Sequence, residues 1–171
     1  MQDSFFEEVV AFATKQLVED GDLNTIIIGE TMKGKRLAFV GSFQNDREKE
    51  SYLNLVSLTF LIHKVCRYVA IGEAWMTTPG SNGKPKRPNQ NPNTKECLIV
   101  VDVNYEKPPL GSIFELIRNK SGKIKNLKEL VKMEKMEGRF TELLPNKNFE
   151  IPEELASVIE KFWSEQGLTL H

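Results

Sequence analysis

The sequence predicts an α+β fold: a largely antiparallel sheet with helices packed mainly on one face. Three observations predict it. Apolar residues recur at three-to-four spacing in three separate stretches, near the start, the middle and the end of the chain. Between them lie β-branched and aromatic runs with period-two alternation. Two pairs of runs are joined by short glycine-containing turns, at Met32–Lys35 and Lys120–Lys123, of the kind antiparallel neighbours use. The expected order is α-β-β-α-β-β-β-(β)-α, in one domain over residues 1–171.

The first helix is expected at about Ser4–Glu19. Asp3 or Ser4 caps it, Glu7 and Glu8 suit its positive end, and Gly21 stops it. Phe5, Val9, Phe12, Ala13 and Leu17 make its buried face. A hairpin follows, Thr25–Ile28 and Leu37–Phe43 around a turn at Met32–Lys35. Gly29 and Gly41 near the strand ends suggest bulges. The second helix, Asp46–His63, is apolar nearly all round in its second half, as suits a central helix. Three strands are then expected at about Cys66–Thr77, Cys97–Tyr105 and Gly111–Asn119. A tight turn at Lys120–Lys123 leads to a fourth strand near Leu127–Lys135, whose residues also fit a helix through Leu127, Leu130, Val131 and Glu134. The last helix starts at Pro152, buries Leu155, Val158, Ile159 and Phe162 with Trp163 at the margin, and ends at Gly167.

Composition narrows the function classes. At 171 residues, 40% apolar and 27% charged, the chain can bury a core without staples. A net charge of −1 points neither to nucleic acid nor to a membrane surface. No apolar run approaches the roughly 18 residues of a membrane span. The first residues form an acidic amphipathic pattern with no basic region before an apolar core, so no signal peptide is expected and the cytoplasm is the expected compartment. Charge is nevertheless uneven: acidic ends flank a basic middle. The plainer reading is that the ends fold back and pair with it; the other is a basic face for an anionic partner.

Alternation supplies the main candidate site. If Thr78 pairs near Lys95 and Asp102 near Ile113, one sheet face carries Ala70, Gly72, Ala74, Met76, Cys97, Ile99, Val101, Val103, Phe114 and Leu116. Its small residues let a helix pack closely. The other face carries Glu73, Trp75, Asp102 and Glu115 among aliphatics. Glu73, Asp102 and Glu115 on one rigid face would be a hydrolase-like or metal-dependent carboxylate site. The plainer reading is a solvated face whose acids pair with lysines and arginines.

Other constellations are thinner. Thr78–Lys95 holds four prolines, two glycines and four asparagines, so residues 79–96 read as an exposed loop. Its Lys84, Lys86, Arg87 and Lys95, extended by Lys120, Lys123, Lys125 and Lys128, suit phosphates, but stacking aromatics are missing. Cys66 and Cys97 start adjacent antiparallel strands at opposite ends, so no disulfide is expected. His63 and Cys66 lack further ligands for zinc. Only His63 and His171 offer a catalytic base, and no serine lies in a nucleophile elbow. Residues 29–35 lack the GKS or GKT that opens a helix in a phosphate loop. No cofactor and no metal is therefore expected.

Glu73-Ala74-Trp75-Met76, then Arg87-Pro88-Asn89-Gln90-Asn91-Pro92-Asn93-Thr94-Lys95-Glu96, then Leu98-Ile99-Val100-Val101 resembles a bacterial family marked by an EAW strand, a proline-punctuated loop and a K/R-E pair opening the next strand. Asn89 and Gln90 stand where that pattern has small and acidic residues. The resemblance implies the hairpin's placement and no activity. The sequence thus points first to a non-enzymatic binding or accessory module that meets a protein partner or a second copy through Trp75 and the 79–96 loop. The alternatives are the carboxylate enzyme and a nucleic-acid binder.

Overall fold

A computed structural model describes residues 4–77 and 94–166, apart from the side chains of Trp75 and Thr77. The order is α1 (Ser4–Asp20), β1 (Thr25–Thr31), β2 (Arg36–Gly41), α2 (Asp46–His63), β3 (Val65–Thr77), β4 (Thr94–Asn104), β5 (Leu110–Arg118), β6 (Ile124–Met133), a 3-10 turn (Arg139–Thr141) and α3 (Glu153–Glu165). The sheet runs β2-β1-β3-β4-β5-β6, every neighbour antiparallel. Of the stretch Leu127–Lys135, residues up to Met133 are strand, within β6, and Glu134 and Lys135 lie just past its end. The turn before it is set by Asn119, whose Oδ1 accepts the backbone N–H groups of Ser121 and Lys123, with Gly122 at φ 81°.

The sheet is covered on both faces. α2 and α3 lie on one face, where Ile27, Leu37, Phe39, Tyr68, Ala70, Val101 and Val103 meet Leu53, Val56, Phe60, Ile159 and Trp163. α1 lies on the other. Its row Phe5, Val9, Ala13 and Leu17 is buried against Ile26, Val69, Ile71, Leu98, Val100 and Leu116. The face expected to turn away from helices is therefore capped by one. Phe12, expected in the buried row, is 45% exposed.

Local chemistry sets the helix ends. At α2, Asn45 Oδ1 accepts the Glu48 N–H (2.9 Å), and the Glu48 carboxylate reaches back to the Gln44 N–H (3.0 Å), a reciprocal cap. Lys64 closes the helix in the left-handed conformation. The Trp163 indole N–H donates to Thr59 Oγ1 (2.6 Å), locking α3 onto α2. Only the inner part of α3's apolar arc is covered: Ile159 and Trp163 are buried, whereas Leu155, Val158 and Phe162, expected inside, are exposed. The arc is wider than the contact that one helix makes with one layer.

Two pairing details correct the expected sheet face. β3 and β4 pair as Thr77↔Thr94 and Glu73↔Leu98, two residues from the expected register, so alternation is kept. β4 and β5 pair as Asp102↔Leu110 and Cys97↔Glu115, three residues from the expected register. An odd shift exchanges the faces of β5. Phe114 and Leu116 turn toward α1, and Glu115 turns to the opposite face. Gly29 and Gly41 also have a different cause from the one expected. Each lies under an aromatic ring: a Cβ would come within 2.8 Å of Phe60 at Gly29 and within 2.5 Å of Phe43 at Gly41.

Candidate functional site

The three candidate carboxylates do not converge. Glu73 and Asp102 share the α1 face, but Glu73 pairs across to Leu98, four residues from Asp102, or ~13 Å at ~3.3 Å per residue. Glu115 lies on the other face. Each acid has its own structural partner. Asp102 forms a two-pronged pair with the Arg67 guanidinium (2.9 and 2.7 Å), and both groups are largely buried. Glu115 pairs with Lys95 (3.0 Å). Glu73 Oε1 accepts the Leu23 N–H (3.0 Å). Glu73 as a residue is exposed, yet loss of solvent around its carboxylate raises its pKa; nearby Glu96 and Asp22 add to the rise, and the Leu23 N–H and Arg118 oppose it.

The remaining sequence candidates sort quickly. Lys95 is held by Glu115. Lys84, Lys86, Arg87 and the side chain of Trp75 lie outside the described residues. Lys120, Lys123, Lys125 and Lys128 are exposed along the last turn and the edge strand β6, where lysines discourage edge-to-edge pairing. Of the acidic N-terminal segment, Glu8 reaches back to Arg36. Cys66 and Cys97 are free thiols; Cys97 pairs across to Ala74, eight residues from Cys66, so ~26 Å separates them along the strand. Burial pushes the Cys97 thiol up, away from a reactive thiolate. His63 Nε2 lies 2.6 Å from Glu160 Oε1, tying α2 to α3. Among the described residues no group of three or more His, Cys, Asp or Glu is placed to hold a metal ion, and no helix is long and apolar enough to cross a membrane.

What the fold does build is a cleft of about 270 Å³ on the α2 side of β3. Its floor is Ala70, Gly72 and Ala74, with Ile99 and Val101 beside them on β4. Lys49 of α2 forms one wall and residues 136–141 the other. The helical layer covers the small stripe only at Ala70, which is buried in the core, and leaves a trough over the half-buried Gly72 and Ala74. Gly72 shows this most directly: among the described residues, a Cβ placed there would meet nothing nearer than Thr25 Oγ1 at 3.8 Å. The backbone at Gly72 is also open to any L residue, since its φ is not positive.

The far wall is held firmly. Met136 N–H donates to Pro109 O (2.9 Å) as the chain leaves β6. The buried Tyr68 hydroxyl donates to Phe140 O (2.6 Å) and accepts the Leu143 N–H (3.2 Å). Arg139 Nε pairs with Glu50 Oε2 (2.8 Å), and its Nη2 donates to Asn54 Oδ1. These bonds join the wall to α2 across the mouth. Lys49 Nζ sits 4.7 Å from the centre of the Phe140 ring, a cation–π contact. Sequence reasoning missed this wall, because Met136–Thr141 has neither helical nor strand periodicity. The available signal was the glycine–arginine–phenylalanine run after a strand, with Gly138 at φ 138°. No family model, no curated protein and no solved structure matches this chain.

Proposed function

We propose that this chain is a non-enzymatic binding module whose ligand seat is the cleft above β3. One observation carries the reading: a central strand places glycine under open space. Glycine inside a strand costs about 0.5–1 kcal/mol relative to alanine, and at Gly29 and Gly41 packed rings account for it. At Gly72 no side chain of the described residues fills the gap. A hollow over a rigid sheet, with a wall pinned by Tyr68 and Arg139, is suited to receiving a small molecule. Arg139 is already engaged in holding that wall, and no acid–base pair faces the hollow among the described residues, which favours retention over acid–base work. The carboxylate-enzyme alternative loses its geometric basis, since Glu115 is on the wrong face for it. Two free thiols fit a reducing compartment, and we place the module in the cytoplasm on that ground.

The test is amide NMR of the labelled protein against a mixed set of small acids, bases and neutral fragments. Binding should shift the amides of residues 70–74, Ile99, Val101 and 137–141 together, and Gly72→Val should abolish those shifts. Fragments that leave these amides unmoved, or that bind Gly72→Val as well as wild type, overturn the reading.

A further inference from the structure

We propose that the cleft is selective for a small apolar monoanion, a monocarboxylate with a straight aliphatic body, anchored on Lys49; this rests on the cleft being a ligand seat. The shape comes first. Ala70, Gly72 and Ala74 are alternate residues of one strand, so they line the cleft in a straight row, ~13 Å at ~3.3 Å per residue from the buried Ala70 at its inner end to Ala74. Ile99 and Val101 of β4 flank it on one side, and Thr25 of β1 lies beside Gly72 on the other. A volume of about 270 Å³ equals about nine waters at ~30 Å³ each, room for a body of about ten non-hydrogen atoms. The floor is apolar throughout, so an apolar body gains by leaving water.

The charge balance then selects the head group. Arg139 is neutralised by Glu50, and Glu137 lies 3.3 Å from Lys135. Lys49 is the surplus: among the described residues it has no carboxylate within ion-pair distance, and its ammonium is held on the Phe140 ring. It is half-buried, so a charge beside it is screened less than one on the open surface. A single carboxylate supplies the missing partner, while the cation–π contact keeps the ammonium at the rim of the apolar channel.

The test compares octanoate, octanol and octylammonium by calorimetry on wild type, Lys49→Met, Lys49→Arg and Gly72→Val. Octanoate should bind wild type at least tenfold more tightly than either other probe. Lys49→Met should lose that margin, Lys49→Arg should keep it within about threefold, and Gly72→Val should lose all binding. Octanol binding as tightly as octanoate, with Lys49→Met unchanged, overturns the anion selectivity and leaves the ligand seat standing. Tighter octylammonium binding overturns it in favour of Glu137 as the anchor. No binding of any of the three, with fragments still shifting the cleft amides, overturns this inference alone; silence in both experiments overturns the seat as well. Should Lys49→Met fail to fold, Lys49→Arg and the three probes on wild type decide it.

Discussion

Replacing Gly72 separates stability from binding. The substitution Gly72→Val puts a β-branched residue on a central strand whose backbone already accepts it. Relief of glycine's conformational cost contributes about 0.5–1 kcal/mol. Valine's strand propensity lies within a scale spanning ~1 kcal/mol, and the new methyls enter space bounded by Ala70, Ala74 and Ile99. Among the described residues, the added Cβ meets only an ordinary van der Waals contact with Thr25 at 3.8 Å. The net expectation is a gain of about 1 kcal/mol, which for a domain of this size raises Tm by about 2–4 °C. Urea and thermal melts monitored by circular dichroism measure it. Gly29→Ala is the matched control: its Cβ would meet the fully buried Phe60 ring at 2.8 Å and Val65 at 3.0 Å, so overpacking should cost about 1–3 kcal/mol. A Gly72→Val protein destabilised as much as Gly29→Ala would refute the reasoning, because it would mean that the space over Gly72 is already filled.

Three further outcomes follow from the same contacts. Tyr52 carries a buried hydroxyl with no hydrogen-bond partner among the described residues, and burial raises its pKa; Tyr52→Phe should gain about 1 kcal/mol in urea melts, and a loss would reveal a partner for that hydroxyl. Glu73 has a raised pKa in the folded state, so its contribution is fully present below the ordinary carboxylate pKa and is lost as pH rises through the raised one. Glu73→Gln, which keeps an acceptor for the Leu23 N–H, should therefore improve its urea midpoint relative to wild type between pH 4 and pH 7; a relative decline would reverse the assigned direction. On α3, Trp163→Ala should cost about 3–5 kcal/mol, since the indole packs 5.0 Å from Phe39 and donates to Thr59. Val158→Ser on the exposed side of the same helix should stay within about 0.5 kcal/mol, and a comparable loss at both would place Val158 in a contact it does not make here.

Element positions were readable from periodicity, whereas the face an element turns to the core was readable only where one face is clearly more apolar than the other. α1 was plain because Phe5, Val9, Ala13 and Leu17 form one row. β3 and β4 kept their alternation through a register error because the error was even. β5 failed because Ile113 and Ile117 alternate with Phe114 and Leu116, so both faces are apolar and neither parity is favoured by burial. The same ambiguity misplaced Leu155, Val158 and Phe162, since α3's apolar arc exceeds what one layer covers and the sequence does not say which edge is left out. The odd error in β5, with the even one between β3 and β4, was enough to bring together on paper three carboxylates that the strand pairing keeps apart. The cleft escaped for a different reason. Its floor was visible as Ala70, Gly72 and Ala74, but a row of small side chains describes a helix contact and an empty trough equally well. The difference is made by a wall arriving from residues 136–141, fixed by a tyrosine 72 residues before Phe140 in the chain. Long-range hydrogen bonds of this kind leave no periodic trace in the sequence, whereas strand-interior glycines do. Asking of each such glycine whether a ring or open space lies above it would have separated Gly72 from Gly29 and Gly41, and it is the one question here whose answer distinguishes a packed sheet from one that keeps room for a guest.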